Sequence, residues 1–418
     1  MAKVEDVFRE LTHALESKHF IAHFALRNPS TGRESWVGGV RSHAIVHAYL
    51  DGLERLYDTM VQEPWKREPP YASKGGKIKV GIFDTSKADF RPGEPFTDFD
   101  WQRVPFICLP HQNSEPSTQG EIRLAMVQAI HEATHVFNWC RRHPRDIDSG
   151  AWEWLDEAIA TFMETLVMSG IPEHLRYVMY WNDMPEVSLD NYSTRYQASM
   201  FVRYLAKKYG VAFVNKVWME SLDEETPVQA LARISQEASH VFSSHDPTVE
   251  DLFASGYCLD SYFLMDPNSD GFAPHIYERF SDRSIQESFR LRPGHEEKSD
   301  NRLNHLACHY YRIYAEGSIK SLRVRLEAGQ SEAESRLKAQ IAVVSREKQR
   351  WRIQPLMPAS SSGLCESILL SAELNDLDME DIDHLVLIVS NCGFRDAKTN
   401  HGVCYDEQAY TIYITPGA

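Results

Sequence analysis

The stretch AIHEATHVFNW, Ala129 to Trp139, decides how the first half of this chain is read. His131 and His135 stand four residues apart, with Glu132 directly after the first. On a helix such a pair lies on one face, one turn apart. Ile130, Val136 and Phe137 are apolar, so the helix is expected to be half buried. Buried imidazoles need partners, and a metal ion supplies them. The spacing suits two corners of a tetrahedral zinc site. Glu132, rotated by about 100° from His131, faces a water on the metal instead. Zinc draws the pKa of such a water towards ~7 and the glutamate takes its proton. In a chain with 18 histidines the bare pattern also arises by chance, so its neighbours must carry the argument.

Three protein ligands and one open position make a catalytic zinc site. A third histidine at the spacing HExxHxxGxxH is excluded, because position 138 is Asn and position 141 is Arg. Two kinds of carboxylate remain. One is an aspartate: Asp146, Asp148 or Asp156. The other is Glu157 in WLDEAIATFME, with 21 residues between it and His135. A glutamate near the start of the next helix can point back across a helix–helix contact.

HEATH followed by WLDEAIATFME resembles the paired motifs of the gluzincin metallopeptidases, nearest to their M1-like branch. The resemblance covers about 100 residues, from 104 to 210, and implies Zn2+ as cofactor. It implies His131, His135 and Glu157 as zinc ligands, Glu132 as general base, and Glu164 as a group orienting a ligand histidine. More weakly, RYQASMFVRYLAKKYG resembles the segment whose tyrosine stabilises the oxyanion, which implies Tyr196, with Tyr192 as rival. The sequence departs from that branch in several places. Ala198-Ser199 stands where Lys-Gly is usual, and Ala158 replaces a glycine. The G-x-M-E-N motif that grips a free N-terminus is absent upstream, where the chain reads VPFICLPHQNSE. An endopeptidase is therefore expected, with an extended substrate pairing along a strand edge, VPFICL being the candidate.

The remaining chain sets the frame. A helix is expected over the first 20 residues, then a strand at FIAHFAL and a helix over His43–Val61. KIKVGIF and VPFICL read as strands. Helices run from about 121 to 141, again after Ser149-Gly150 as far as Gly170, and on to roughly 290. LRPGHEEKSDNRLN, 291–304, reads as a charged linker. Seven short β-runs follow: HYYRIYA, SLRVRLEAG, KAQIAVVS, QRWRIQPL, ESILLSAEL, HLVLIVSNC and AYTIYITP. They predict a β-sandwich. The expected fold is α+β: a mainly helical, zincin-like catalytic domain with a small sheet over 1–295, then an all-β sandwich over 300–418.

Composition removes other classes. The 418 residues are 43% hydrophobic and 25% charged, with a formal net charge of −16. Such acidity repels phosphate backbones, so no nucleic-acid partner is expected. No run of about 18 apolar residues and no signal-peptide core are visible, so a protein without a membrane span is expected, cytoplasmic, or secreted if a leader has been trimmed. Seven scattered cysteines without a CxxC read as buried reduced thiols, with Cys392 and Cys404 close enough to pair. DPNSDG, 266–271, resembles the start of a calcium loop, but its twelfth position is Tyr277, and a plain turn is the better reading. The expected function is zinc-dependent hydrolysis of a peptide or protein substrate. The alternative is a catalytically silent zinc-containing protein that binds through its sandwich.

Overall fold

The computed structural model describes residues 4–27, 38–69, 76–87, 95–99, 104–111, 118–141, 152–168, 184–191, 194–221, 226–242, 253, 257–258, 285–315, 319–328, 337–346, 351–358, 368–375, 377, 381–392 and 408–417. The fold is α+β, and the chain divides into two compact units. The first comprises Met1–Arg176 and Val202–Met219; the second comprises Tyr177–Phe201 and Glu220–Ala418.

In the first unit, α1 (Val4–Glu10) leads into β1 (His13–Glu16) and β2 (Phe20–Phe24). The helix expected over the first 20 residues thus stops after two turns, because Leu11 is buried and the next four residues pair antiparallel with β2. Helix α2 (His43–Val61), strands β3 (Ile78–Phe83), β4 (Phe96–Phe99) and β5 (Pro105–Pro110), and helices α3 (Gln119–Asn138) and α4 (Glu153–Val167) follow. The sheet order is β1-β2-β3-β5-β4. β2, β3 and β5 run parallel, with an antiparallel strand on each side. VPFICL is therefore not an edge. Its strand β5 lies between β3 and β4, with Pro105–Leu109 buried as a continuous apolar run, the pattern of an interior strand. The edge on that side is β4, of sequence FTDF, and the opposite edge is β1.

Helix α2 packs on β2 and on α3, and α3 packs on β4, β5 and α4. The approach of α2 to α3 is close at Gly52. A Cβ there would lie 2.8 Å from the carbonyl oxygen and 3.0 Å from the Cα of Met126. In an open helix Gly→Ala gains stability by about 0.5–1 kcal/mol. Here the new atom meets backbone that cannot move aside, and the sign reverses. Gly52→Ala is expected to destabilise the protein by about 1–3 kcal/mol, read as a lower denaturant midpoint at unchanged m-value; a stabilised variant would contradict this packing.

Helices α5 (Ser199–Tyr209), α6 (Val211–Met219) and α7 (Pro227–Phe242) come next. The second unit then holds β6 (Ile285–Leu291), β7 (Glu297–Leu303), β8 (Ala307–Ala315), β9 (Ser321–Ala328), β10 (Leu337–Ser345), β11 (Trp351–Pro355), β12 (Met357–Pro358), β13 (Ile368–Leu374), β14 (Ile382–Asn391) and β15 (Gln408–Gly417). They form two five-stranded sheets, β11-β10-β14-β8-β6 and β12-β13-β9-β15-β7. Alternate residues of both sheets share one core, among them Tyr311, Ile341 and Leu387 from the first and Val324, Ala372 and Ile412 from the second. This is the sandwich the seven β-runs predict.

The expected linker 291–304 is mostly strand. Its residues 297–303 alternate in burial and pair with β15 as an edge, which tolerates the charged sequence EKSDNRL. The expected boundary near 295–300 also differs from the observed division, since described residues from 184 to 201 and from 253 to 258 group with the sandwich. The reason is visible in β14, where Leu385 to Asn391 are buried on both faces. Backbone bonds tie the chain to this sheet region, from Leu189 N to Leu306 O at 3.0 Å and from Cys308 N to Pro185 O at 2.9 Å. The Tyr310 hydroxyl donates to Cys258 O at 2.8 Å. Cys108, Cys258 and Cys308 are buried free thiols and Cys140 is a partly buried one. Cys392, at the end of β14, is likewise a buried free thiol, not the paired cysteine that the sequence allowed; Cys404 and the DPNSDG loop lie outside the described residues. Among the described residues no helix is long and apolar enough to cross a membrane.

Candidate metal centre

Helix α3 begins at a capping box. Thr118 Oγ1 accepts from Glu121 N at 3.2 Å, and Thr118 N donates to Glu121 Oε2 at 3.1 Å. Ala125, Ala129, Ala133 and Val136 recur at helical spacing and are buried. That face seats the helix, and the next one carries His131 and His135, whose ring centres are 5.1 Å apart. α4 lies against α3 and turns Asp156, Glu157 and Glu164 inward; all three are buried.

Each imidazole is fixed by a carboxylate at Nδ1. His131 Nδ1 is 2.7 Å from Glu164 Oε1, and His135 Nδ1 is 2.7 Å from Asp156 Oδ2. Both Nε2 atoms then turn towards a common acceptor, Glu157 Oε2, at 3.1 Å from His131 and 3.7 Å from His135. The ligand atoms of these three residues lie within 4.8 Å of one another. Donors on the edge of a tetrahedron with bonds of about 2.0–2.1 Å stand roughly 3.3–3.4 Å apart. The two separations to Glu157 Oε2 bracket that value, so these three residues could hold a metal ion. Both Nδ1 atoms are already engaged, which reserves each Nε2 for a metal.

Electrostatics support a cation here. Burial pulls the His131 pKa down, but hydrogen bonds to Glu157 and Glu164 outweigh it and hold the group well above its ordinary value. His135 is held up at about 9, burial being overcome by Asp156 and Glu157. Glu132, 6% exposed, is raised above the usual carboxylate range by burial, against the lowering pull of His131 and His135. The Thr97 hydroxyl, on the edge strand β4, lies 3.1 Å from Glu132 Oε2 and 2.9 Å from its backbone oxygen.

The structure thus brings together His131, Glu132, His135, Glu157 and Glu164. Asp156, a rival for third ligand, instead buttresses His135, while Asp146 and Asp148 lie outside the described residues. Tyr196 belongs to the second unit, with Arg195 stacked on its ring at 4.7 Å; Tyr192 lies outside the described residues. Two neighbours of the site were not expected from the sequence: Thr97, which had no signal, and Asn138, which donates to Asp156 Oδ1 at 2.6 Å and whose place three residues after His135 was one.

Residues 117–245 match a family described as a family of unknown function, DUF6055. No curated protein matches the chain. Among solved structures, the chain is similar at 12% identity to the infectious bursal disease virus VP2 subviral particle, over 28% of this chain and 29% of that one, with a TM-score of 0.17. It is similar at 8% identity to a family GH115 4-O-methyl-α-glucuronidase with specificity for decorated arabinogalactans, over 84% of this chain and 53% of that one, with a TM-score of 0.19. The chain thus spans about half of the second or less than a third of the first, and neither likeness bears on fold or function.

Proposed function

We propose that this protein is a zinc-dependent peptidase, and an endopeptidase. The observation that carries the reading is the convergence of His131 Nε2, His135 Nε2 and Glu157 Oε2 beside the buried Glu132 carboxylate. Zinc held there would lower the pKa of a water towards ~7 and polarise a scissile carbonyl. Glu132 would take the proton of such a water and later deliver it to the leaving amine. The Thr97 hydroxyl donates to Glu132 Oε2 and would help to orient the carboxylate. Glu164 and Asp156 keep the ligand imidazoles in one tautomer and one orientation. The strand edge for an extended peptide is β4, which carries Thr97.

A second reading, a silent zinc protein that binds through its sandwich, has one observation in its favour. A cavity of about 730 Å³ in the second unit is lined by polar groups including Asp300, Arg302, Glu327, His309 and Thr411. The two readings separate in one experiment on the purified chain: metal content and hydrolysis of unstructured casein. The peptidase reading expects one zinc per chain, turnover lost to a chelator and restored by zinc. One zinc with no cleavage of any peptide supports the binding reading, and a chain that takes up no zinc removes both.

A further inference from the structure

Arg67 has no exposed surface, and its guanidinium carbon sits 4.9 Å and 5.7 Å from the ring centres of Trp65 and Trp218. Burial lowers its pKa to about 10, which leaves it a cation at neutral pH. A buried cation needs an anion, or dipoles leading to one. Those dipoles are present. Arg67 Nη1 donates to Asn138 Oδ1. Asn138 Nδ2 donates to Asp156 Oδ1 at 2.6 Å, and Asp156 Oδ2 meets His135 Nδ1 at 2.7 Å. The far side is anchored too. Arg67 Nε donates to Asn215 Oδ1 at 2.9 Å, and Asn215 Nδ2 is bound to the carbonyls of Pro64 and Trp65 at 2.7 and 2.9 Å.

We propose that Arg67 is a positioning residue of the metal centre, acting through Asn138 to hold the Asp156 carboxylate against Nδ1 of His135. The inference rests on the reading of the site as a metal centre. Arg67 touches neither ligand nor substrate. Its charge polarises the Asn138 amide, which has its oxygen towards the cation and its nitrogen towards the anion, and linked bonds of this kind strengthen one another. Trp218 Nε1 donates to Asn138 O at 3.1 Å and steadies the bridge from behind. Asp156 is thus fixed at both oxygens, and His135 keeps its Nε2 for the ion. A packing role alone would be met by an apolar side chain of like volume, since buried charged groups are often replaceable that way.

The test is zinc affinity, read on the full chain by competition with a chromophoric chelator, beside the melting temperature of the metal-free protein. Asp156→Asn should weaken zinc binding by about 10–100-fold. Arg67→Met should weaken it about tenfold in the parent and less than about twofold on the Asp156→Asn background, because both act through one carboxylate. Equal losses on both backgrounds overturn the proposal. Removal of a buried arginine can unfold the chain, so a second variant keeps the question open to refutation. Asn138→Asp retains the volume and pairs with Arg67 but turns a carboxylate on Asp156. It should lose about tenfold in zinc affinity in the folded chain; unchanged affinity refutes the relay. A parent that binds no zinc is a different failure, that of the metal centre itself.

Discussion

Glu132→Gln is expected to cut peptide cleavage sharply and to leave bound zinc in place. The expected loss is about 10²–10⁴-fold in kcat, the range for a general base removed from a hydrolytic step. Glutamine keeps the length of the side chain and can still accept from the Thr97 hydroxyl, so the fold and the edge strand are not disturbed. It cannot take a proton. Glu132 holds neither metal nor, on this reading, the ground-state peptide, so KM should stay within about twofold while kcat and kcat/KM fall together. Zinc content at one per chain in the variant separates lost chemistry from a lost ion. A Glu132→Gln protein that retains its zinc and cleaves like the parent would place the base elsewhere.

The parts of this site legible in the sequence are those set by helical spacing. His131 and His135 share a face because 3.6 residues make a turn, and Glu157 and Glu164 recur two turns apart on α4. What was not legible depends on sheet order. VPFICL reads as a strand, but nothing local says that FTDF, preceded by a Gly/Pro-rich segment, folds over it as the edge. Thr97 reaches Glu132 only as a result of that pairing, across 35 positions of sequence. Arg67 reaches Asn138 across 71. In the second unit, alternation in β9 and β15 marks one buried face, and both sheets were legible as strands. The continuous apolar run HLVLIVSNC carried more information: a strand buried on both faces needs a cover. The earlier chain that groups with the sandwich is bonded at the neighbouring strand β8, which is why a charged stretch at 291–304 was a misleading boundary.

The order of zinc affinities among three carboxylate variants decides the ligand set. Glu157→Gln should lose more than the ~100-fold that bounds the loss of an orienting partner, because Glu157 Oε2 is the oxygen facing both Nε2 atoms. Asp156→Asn and Glu164→Gln should each lose about 10–100-fold, since each touches one histidine at Nδ1. Asparagine and glutamine can still accept there, which is why the effect is graded rather than complete. Acidic residues adjacent in sequence, Asp156 and Glu157, are thereby assigned different tasks by their direction alone. They sit about 100° apart around α4, one aimed at the back of a ring and the other at its front. If Asp156→Asn costs more zinc affinity than Glu157→Gln, the two have exchanged roles, and the open corner of the site faces a different side of α4.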